Sequence, residues 1–495
     1  MSSQTVFQST PSSNSIVDAN NVQGDVVIGL IKRVECFLFL TLKDDNESRL
    51  AFRRTLKDKL LPLITTTQQV LETQRKIDES KRQTKPGQPK KILPITQFNI
   101  AFSASGLKKL GVGDTEIPSD NAAFIATQKS DAVTNLGDPV DSKGQKLLTW
   151  SPDFLQHSID AVILITAPDQ ESLCRKIDEI KTIVKDSISR QFSRTGNVRP
   201  GSEAGHEHFG FLDGISTPKI KGFNSTQADE QAGVVNPSVI LVGHPDETNP
   251  STTSPAWMKD GSFLAIRELQ QLVPEFQKFC DETAKKNPIP GVTGEFIGAR
   301  VVGRWKSGAP LTLAPIEDNS KLIGAQNFDY ADELEQQRCP YAAHVRKTNP
   351  RKGFAGFEPE TAVLPHLMVR NGIPYGPELT KEEIEEKQTK HNRGLLFVSY
   401  QSKIENGFQF VQKSWSNNVD FPIKNPAKVT PGFDLLIGQS GNGGPRTAQN
   451  ITSNGMAGET DPNNVITAPT EFIKTLGGEY FFSPSIEAIR TKLGA

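Results

Sequence analysis

Asp160-Ala161-Val162-Ile163-Leu164-Ile165-Thr166, followed by Asp169 to Ser187, is the stretch that decides the fold class. The unbroken apolar run is of strand length and rich in β-branched residues, which reads as a strand buried on both faces. Helical spacing resumes after it, so a strand feeds directly into a helix. Outward from there, Gln97 to Ser103 alternates as a strand does, and Ser105 to Leu110 starts a short helix. Val26 to Leu42 is a strand region. Glu47 to Leu71 has helical apolar spacing at Leu50, Phe52, Leu56, Leu60 and Leu61, interrupted at Pro62. Lys76 to Lys91, dense in Lys, Arg, Gln, Gly and Pro, reads as a solvated connector. After the polar stretch Asn224 to Gly233 the same grammar begins afresh. Strands are expected at Ser238 to Val242, Ser262 to Leu269 and Gly394 to Tyr400, and helices at Pro274 to Lys286 and Gly294 to Val302. The chain therefore reads as two similar α+β domains, 1–228 and 229–495, with Gly441 to Pro462 as a long surface loop.

Composition bounds the function. The 495 residues are 36% hydrophobic and 23% charged, as in a globular protein able to bury a core. Lys plus Arg (56) against Asp plus Glu (57) leaves a net charge of −1, which argues against nucleic acid or an anionic membrane as partner. Apolar stretches fall far short of the ~18–20 residues of a spanning helix. The four cysteines, Cys36, Cys174, Cys280 and Cys339, form no CxxC pair, and the first three read as buried small hydrophobes. Residues 1–16 are Ser-rich without an apolar block, so no signal peptide is expected there. Sequons at Asn46, Asn224 and Asn450 lean only slightly towards secretion.

Three segments carry chemistry. In Gly205-His206-Glu207-His208-Phe209-Gly210-Phe211-Leu212-Asp213-Gly214, an extended backbone would put His206 and His208 on one face, where with Asp213 they could hold zinc. Alternatively, the glycines bracket Asp213 in a tight turn, making it an acid/base group in a pocket. In Cys339 to Arg351, small Ala342 and Ala343 beside His344 leave room for a planar group, and the clustered cations suit carboxylates. In Met368 to Gly376, Arg370 ends an apolar run next to a turn. The chain contains no nucleophile elbow, P-loop, HExxH or dinucleotide fingerprint.

Gly210 to Gly214, Asn21-Val22-Gln23-Gly24-Asp25, Cys339 to Arg351 and Arg370 to Glu378 together resemble the fungal dye-decolorising peroxidases, in family order across almost the whole chain. The resemblance implies two ferredoxin-like domains, antiparallel sheets flanked by helices, with one haem b held mainly by the C-terminal domain. It implies His344 as iron ligand, Asp434 as acceptor for its second ring nitrogen, and Asp213 and Arg370 as catalytic pair. Arg346, Ile215, Ser216, Leu395 and Phe397 are the further cofactor contacts it implies. His206 and His208 then become supports of the Asp213 loop. Implied partners are hydrogen peroxide and bulky aromatic reductants (dyes, phenols, lignin-derived compounds), reacting through an oxoferryl intermediate in a secreted monomer or weak homodimer. Because an aspartate remains a base in acid, an acidic working range is expected. Trp415, set among polar residues, and Tyr375, in a Pro-Tyr-Gly turn, resemble surface electron-transfer sites and are expected to reach outwards. A haem-binding protein without turnover and a zinc hydrolase using His206, His208 and Asp213 remain the alternatives.

Overall fold

The computed structural model describes residues 17–83, 92–223, 233–245, 254–287, 289–352, 363–423, 425–452 and 464–495. The first half contributes β1 (Val34–Leu42), β2 (Gln97–Phe102), β3 (Ala161–Ala167) and β4 (Ile188–Asn197). After a short parallel pair, β5 (Lys219–Ile220) and β6 (Val234–Val235), come β7 (Ser262–Gln271), β8 (Val369–Arg370), β9 (Ile373–Tyr375) and β10 (Gly394–Gln401). A hairpin, β11 (Arg446–Gln449) and β12 (Val465–Ala468), precedes β13 (Ile473–Ser483).

Nine of these strands form one antiparallel sheet in the order β4-β1-β3-β2-β13-β7-β10-β8, with β9 also paired to β10. Within the first half the order is fourth, first, third, second. If β8 and β9 together count as one strand, the second half repeats it. This is the split βαβ arrangement of a ferredoxin-like unit, occurring twice. Helices follow the first and third strands: Asn46–Thr55 and Thr67–Gln83, then Gln170–Val184, in one half, and Val273–Lys286 and Gly294–Val302, then Phe408–Phe410 running on into Val411–Ser416, in the other. The halves meet where Phe482 of β13 registers with Phe102 of β2. Gln23 clips this seam, donating to the Ile100 and Pro484 carbonyls (both 2.8 Å) and accepting from the Ile100 N–H (2.9 Å). The far ends of the sheet also approach one another: a Cβ on Gly196 of β4 would lie 2.5 Å from Ile373 of β9. Phe39, Phe154, Phe192 and Phe481 fill the core between the halves.

Several local expectations change. The helix read at 47–71 runs from an Asp45 cap through a widened turn, Leu56–Leu60, to a 3-10 turn at Pro62. A second helix then continues to Gln83, so the described part of the expected connector is helical. Its exposed turns are rich in Gln, Lys, Arg and Glu, which are good helix formers. Residues 84–91 lie outside the described part, as does most of the expected boundary at 224–233. Ser238 to Val242 is a short helix, Pro237–Ile240, because proline presets the first helical turn. Cys174 is exposed on the outer face of its helix, whereas Cys36, Cys280 and Cys339 are buried. The expected loop at 441–462 contains β11, with residues 453–462 outside the described part. No helix among the described residues is long and apolar enough to cross a membrane.

Candidate active site

His344 opens a one-turn helix, His344–Thr348, on the wall of a deep, mostly apolar cavity. Its Nδ1–H donates to Oδ2 of the fully buried Asp434 at 2.8 Å, which leaves Nε2 as the nitrogen free to act as a ligand. The other Asp434 oxygen accepts from the Leu436 and Ile437 N–H groups (2.9 and 3.2 Å). Burial alone would raise this carboxyl's pKa, but the His344 ring and the two N–H donors outweigh it and hold it below the ordinary value. The local chain demands glycine: Gly432 has φ +90°, and a Cβ there would sit 2.3 Å from the Thr447 carbonyl oxygen.

Asp213 reaches the same cavity from the loop that follows Glu207. The Glu207 carboxylate organises that loop by accepting from the Phe209 and Phe211 N–H groups (2.9 and 2.8 Å) and from the Gln271 amide. Burial pushes the Glu207 carboxyl up to about 7. Gly210 and Gly214 supply positive φ on either side of Asp213. An Asp213 oxygen lies 3.6 Å from Nη1 of Arg370, whose Nη2 donates to the Ser216 carbonyl at 3.0 Å. Both side chains remain about one-third exposed, at 37% and 31%, so a small molecule can reach them. Arg370 stands on β8 beside Ser399 of β10, the strand that also sends Leu395 and Phe397 to the cavity wall. Ile215 and Ser216 line the cavity too.

The two loop histidines act as supports. The buried His208 donates from Nε2 to the Tyr375 carbonyl at 2.8 Å, and burial lowers its pKa to about 4. His206 pairs through its backbone with Leu212. Among the described residues no group of three or more His, Cys, Asp or Glu could hold a metal ion.

Three expected site residues are elsewhere. Arg346 is absent from the cavity wall: it is buried between the Tyr330 and Tyr341 rings (4.5 and 4.6 Å) and bound to Glu333 at 2.8 Å, because its helix turns it away from His344. Arg304, missed in the sequence, lines the cavity instead. Among the described residues its donors reach the Gly308 and Ala325 carbonyls and, at 3.5 Å, the Ser216 hydroxyl. Burial, reinforced by Arg351 and Arg370 nearby, lowers its pKa to about 10. Its signal in the sequence was a lone cation in the run Val301-Val302-Gly303-Arg304-Trp305. Trp415 is only 5% exposed, because the widened turn Val411–Ser416 swings it inwards against Phe410 and Phe421. Tyr375 is 8% exposed, because pairing of β9 with β10 points it inwards, where its hydroxyl donates to Asn392 at 3.0 Å.

Fold and cavity together define an α+β protein with a carboxylate-backed histidine, an Asp–Arg pair and a cationic corner around one apolar chamber. Residues 21–200 match the DyP dimeric alpha+beta barrel domain, and residues 299–421 match the C-terminal domain of Dyp-type peroxidases. A dye-decolorizing peroxidase of Mycena epipterygia is 38% identical over 96% of this chain and 86% of its own length. One from Auricularia auricula-judae is 35% identical over 97% and 87%. The solved structure of an ancestral D-type dye decolorizing peroxidase superposes with TM-score 0.85 at 45% identity, covering 97% of this chain and all of that one. The chain belongs to the dye-decolorising peroxidase family, whose members are haem-dependent oxidoreductases.

Proposed function

We propose that the chain binds one haem b and uses hydrogen peroxide to oxidise aromatic reductants. The observation that carries this reading is the convergence of His344, Asp213, Arg370 and Arg304 on one apolar cavity. The donor set suits haem: an imidazole held at Nδ1 by Asp434 with Nε2 free, apolar walls from Leu395, Phe397 and Leu436, and guanidinium groups that suit propionates. His344 would ligate the iron, with Arg304, Arg370 and Ser216 at the carboxylate end. Bound haem supplies the iron at which the peroxide O–O bond is cleaved. Asp213 takes the proton from the near peroxide oxygen at a carboxylate oxygen and delivers it to the far one. Arg370 stabilises the negative charge that develops as the oxygens part. Asp434 fixes the His344 tautomer and makes the imidazole more electron-rich. A solved dye-decolorizing peroxidase in complex with 2,6-dimethoxyphenol, 38% identical with TM-score 0.80 over 97% of this chain and all of that one, supports phenols as reductants. Bulkier donors are served by electron transfer through Trp415, whose 5% exposure leaves only an edge of the indole for contact with them, and Tyr375, 8% exposed, is a second candidate exit of the same kind. The purified protein should show a Soret band that is lost or displaced in His344→Ala and kept in His206→Ala. A parental spectrum in the His344 variant would sink the assignment.

A further inference from the structure

Trp415 is connected to the cavity by a stack of rings. His366 lines the cavity, lies face to face with Phe410 (3.6 Å, 0°) and meets Trp415 edge-on at 5.3 Å. Phe410 itself meets Trp415 at 5.4 Å, and Phe421 stacks on the far side of the indole at 5.4 Å. The imidazole is fixed in this pose, since its Nδ1–H donates to the Asn406 carbonyl at 2.6 Å. Among the described residues the His366 ring makes its polar contact with that carbonyl alone, which gives it no part in the proton transfer assigned to Asp213. Its ring contacts are with Phe410 and Trp415, and they lead away from the cavity to the Trp415 indole.

We propose that His366 is the positioning residue that carries the electronic contact between Trp415 and the haem cavity. The inference rests on the reading of the chain as a haem peroxidase in which Trp415 donates electrons. The balance is simple. Reduction of one hydrogen peroxide to two waters consumes two electrons and two protons. For each electron, the Trp415 indole is oxidised by one, passing it through the His366 contact towards the cavity. The indole proton leaves to water and returns when an external aromatic donor re-reduces the ring by one electron. A competing route exists, because the Ser416 carbonyl accepts from the Asp434 N–H at 3.1 Å and Asp434 holds His344.

The test compares His366→Ala and His366→Phe with the parent, all with haem content confirmed, and Trp415→Phe as reference. Three readouts are used: the ratio of bulky-dye to small-phenol turnover, the yield of tryptophanyl radical by electron paramagnetic resonance after peroxide, and the indole N–H resonances of nitrogen-15-labelled tryptophan. In His366→Ala the turnover ratio and the radical yield should each fall about tenfold, and His366→Phe, which keeps a ring in contact, should restore both. The Trp415 resonance should move as His366 titrates in the parent and stay still in His366→Phe. Parental ratio and radical yield in His366→Ala would overturn the proposal in favour of the Asp434 route. An unchanged ratio in Trp415→Phe would overturn the reading beneath it, and absence of a Soret band the haem assignment itself.

Discussion

At the residue scale the site rests on two carboxylates with different tasks. Asp213→Asn keeps the size of the side chain and removes the base, so reaction with peroxide in stopped flow should slow by ~10²–10⁴-fold at parental haem content. Asp434→Asn should act on the other side. Its two oxygens face three N–H donors, and an amide must turn its NH₂ towards one of them, at a cost of about 1–3 kcal/mol, with a displaced Soret band. The two arginines of this region make a third case. Arg304→Gln should weaken haem retention against apomyoglobin capture, whereas Arg346, stacked between tyrosines, should matter for stability alone. These residues also mark how far a sequence can be read. His344, Asp434, Asp213 and Arg370 stand in short segments whose local chemistry is distinctive. Arg346 and Arg304 are both cations beside apolar residues, and only the phase of a one-turn helix and a left-handed glycine decide which one faces the cavity. Trp415 was misjudged for a similar reason. Polar neighbours in sequence say nothing about direction once a widened turn replaces a regular one.

At the scale of elements, the Asn21 to Asp25 segment proves to be a joint. Gln23 fills its hydrogen bonds across the β2–β13 seam, and Asp25 accepts from the Tyr400 hydroxyl at 2.8 Å. Gln23→Ala should therefore cost about 1–3 kcal/mol through backbone groups left unpaired in the interior, measured by urea titration. Gly432→Ala should lower the melting temperature and speed haem loss together, since a left-handed non-glycine residue costs about 1–3 kcal/mol before the contact with Thr447 is counted. The strands with strong β-branched or apolar runs, β1, β2, β3, β7 and β10, were legible because burial imposes its own periodicity. The two- and three-residue strands β8 and β9 carry too little pattern to be seen. The helix ending at Gln83 was hidden because its last turns touch mostly solvent, and only propensity marks them.

For the whole molecule, buried acids set the pH response. Burial raises Glu35, Glu207 and Glu479 each from 4.5 to about 7. A raised acid stabilises the fold in its protonated form, so this contribution is complete below about 4.5 and is lost as the pH rises through 7. His208 works against it, because its value, lowered to about 4, costs stability as the pH falls below 6.5. With three groups against one, melting temperatures should rise between pH 7.5 and 5. A flat or falling trend would contradict the burial of these acids, and Glu479→Gln should flatten part of the slope. The duplicated order of the two halves was legible as a recurring grammar. The single continuous sheet was not, because it depends on β13 pairing with a strand some 380 residues earlier. That insertion bears on biosynthesis. A nascent chain leaving the ribosome can pair β1 to β4 early, but β2 keeps one open edge, and β7 another, until residue 483 has been made. Over that interval two apolar strand margins await the same late segment, so a stalled or truncated polypeptide would expose both to chaperones or to its neighbours on the polysome.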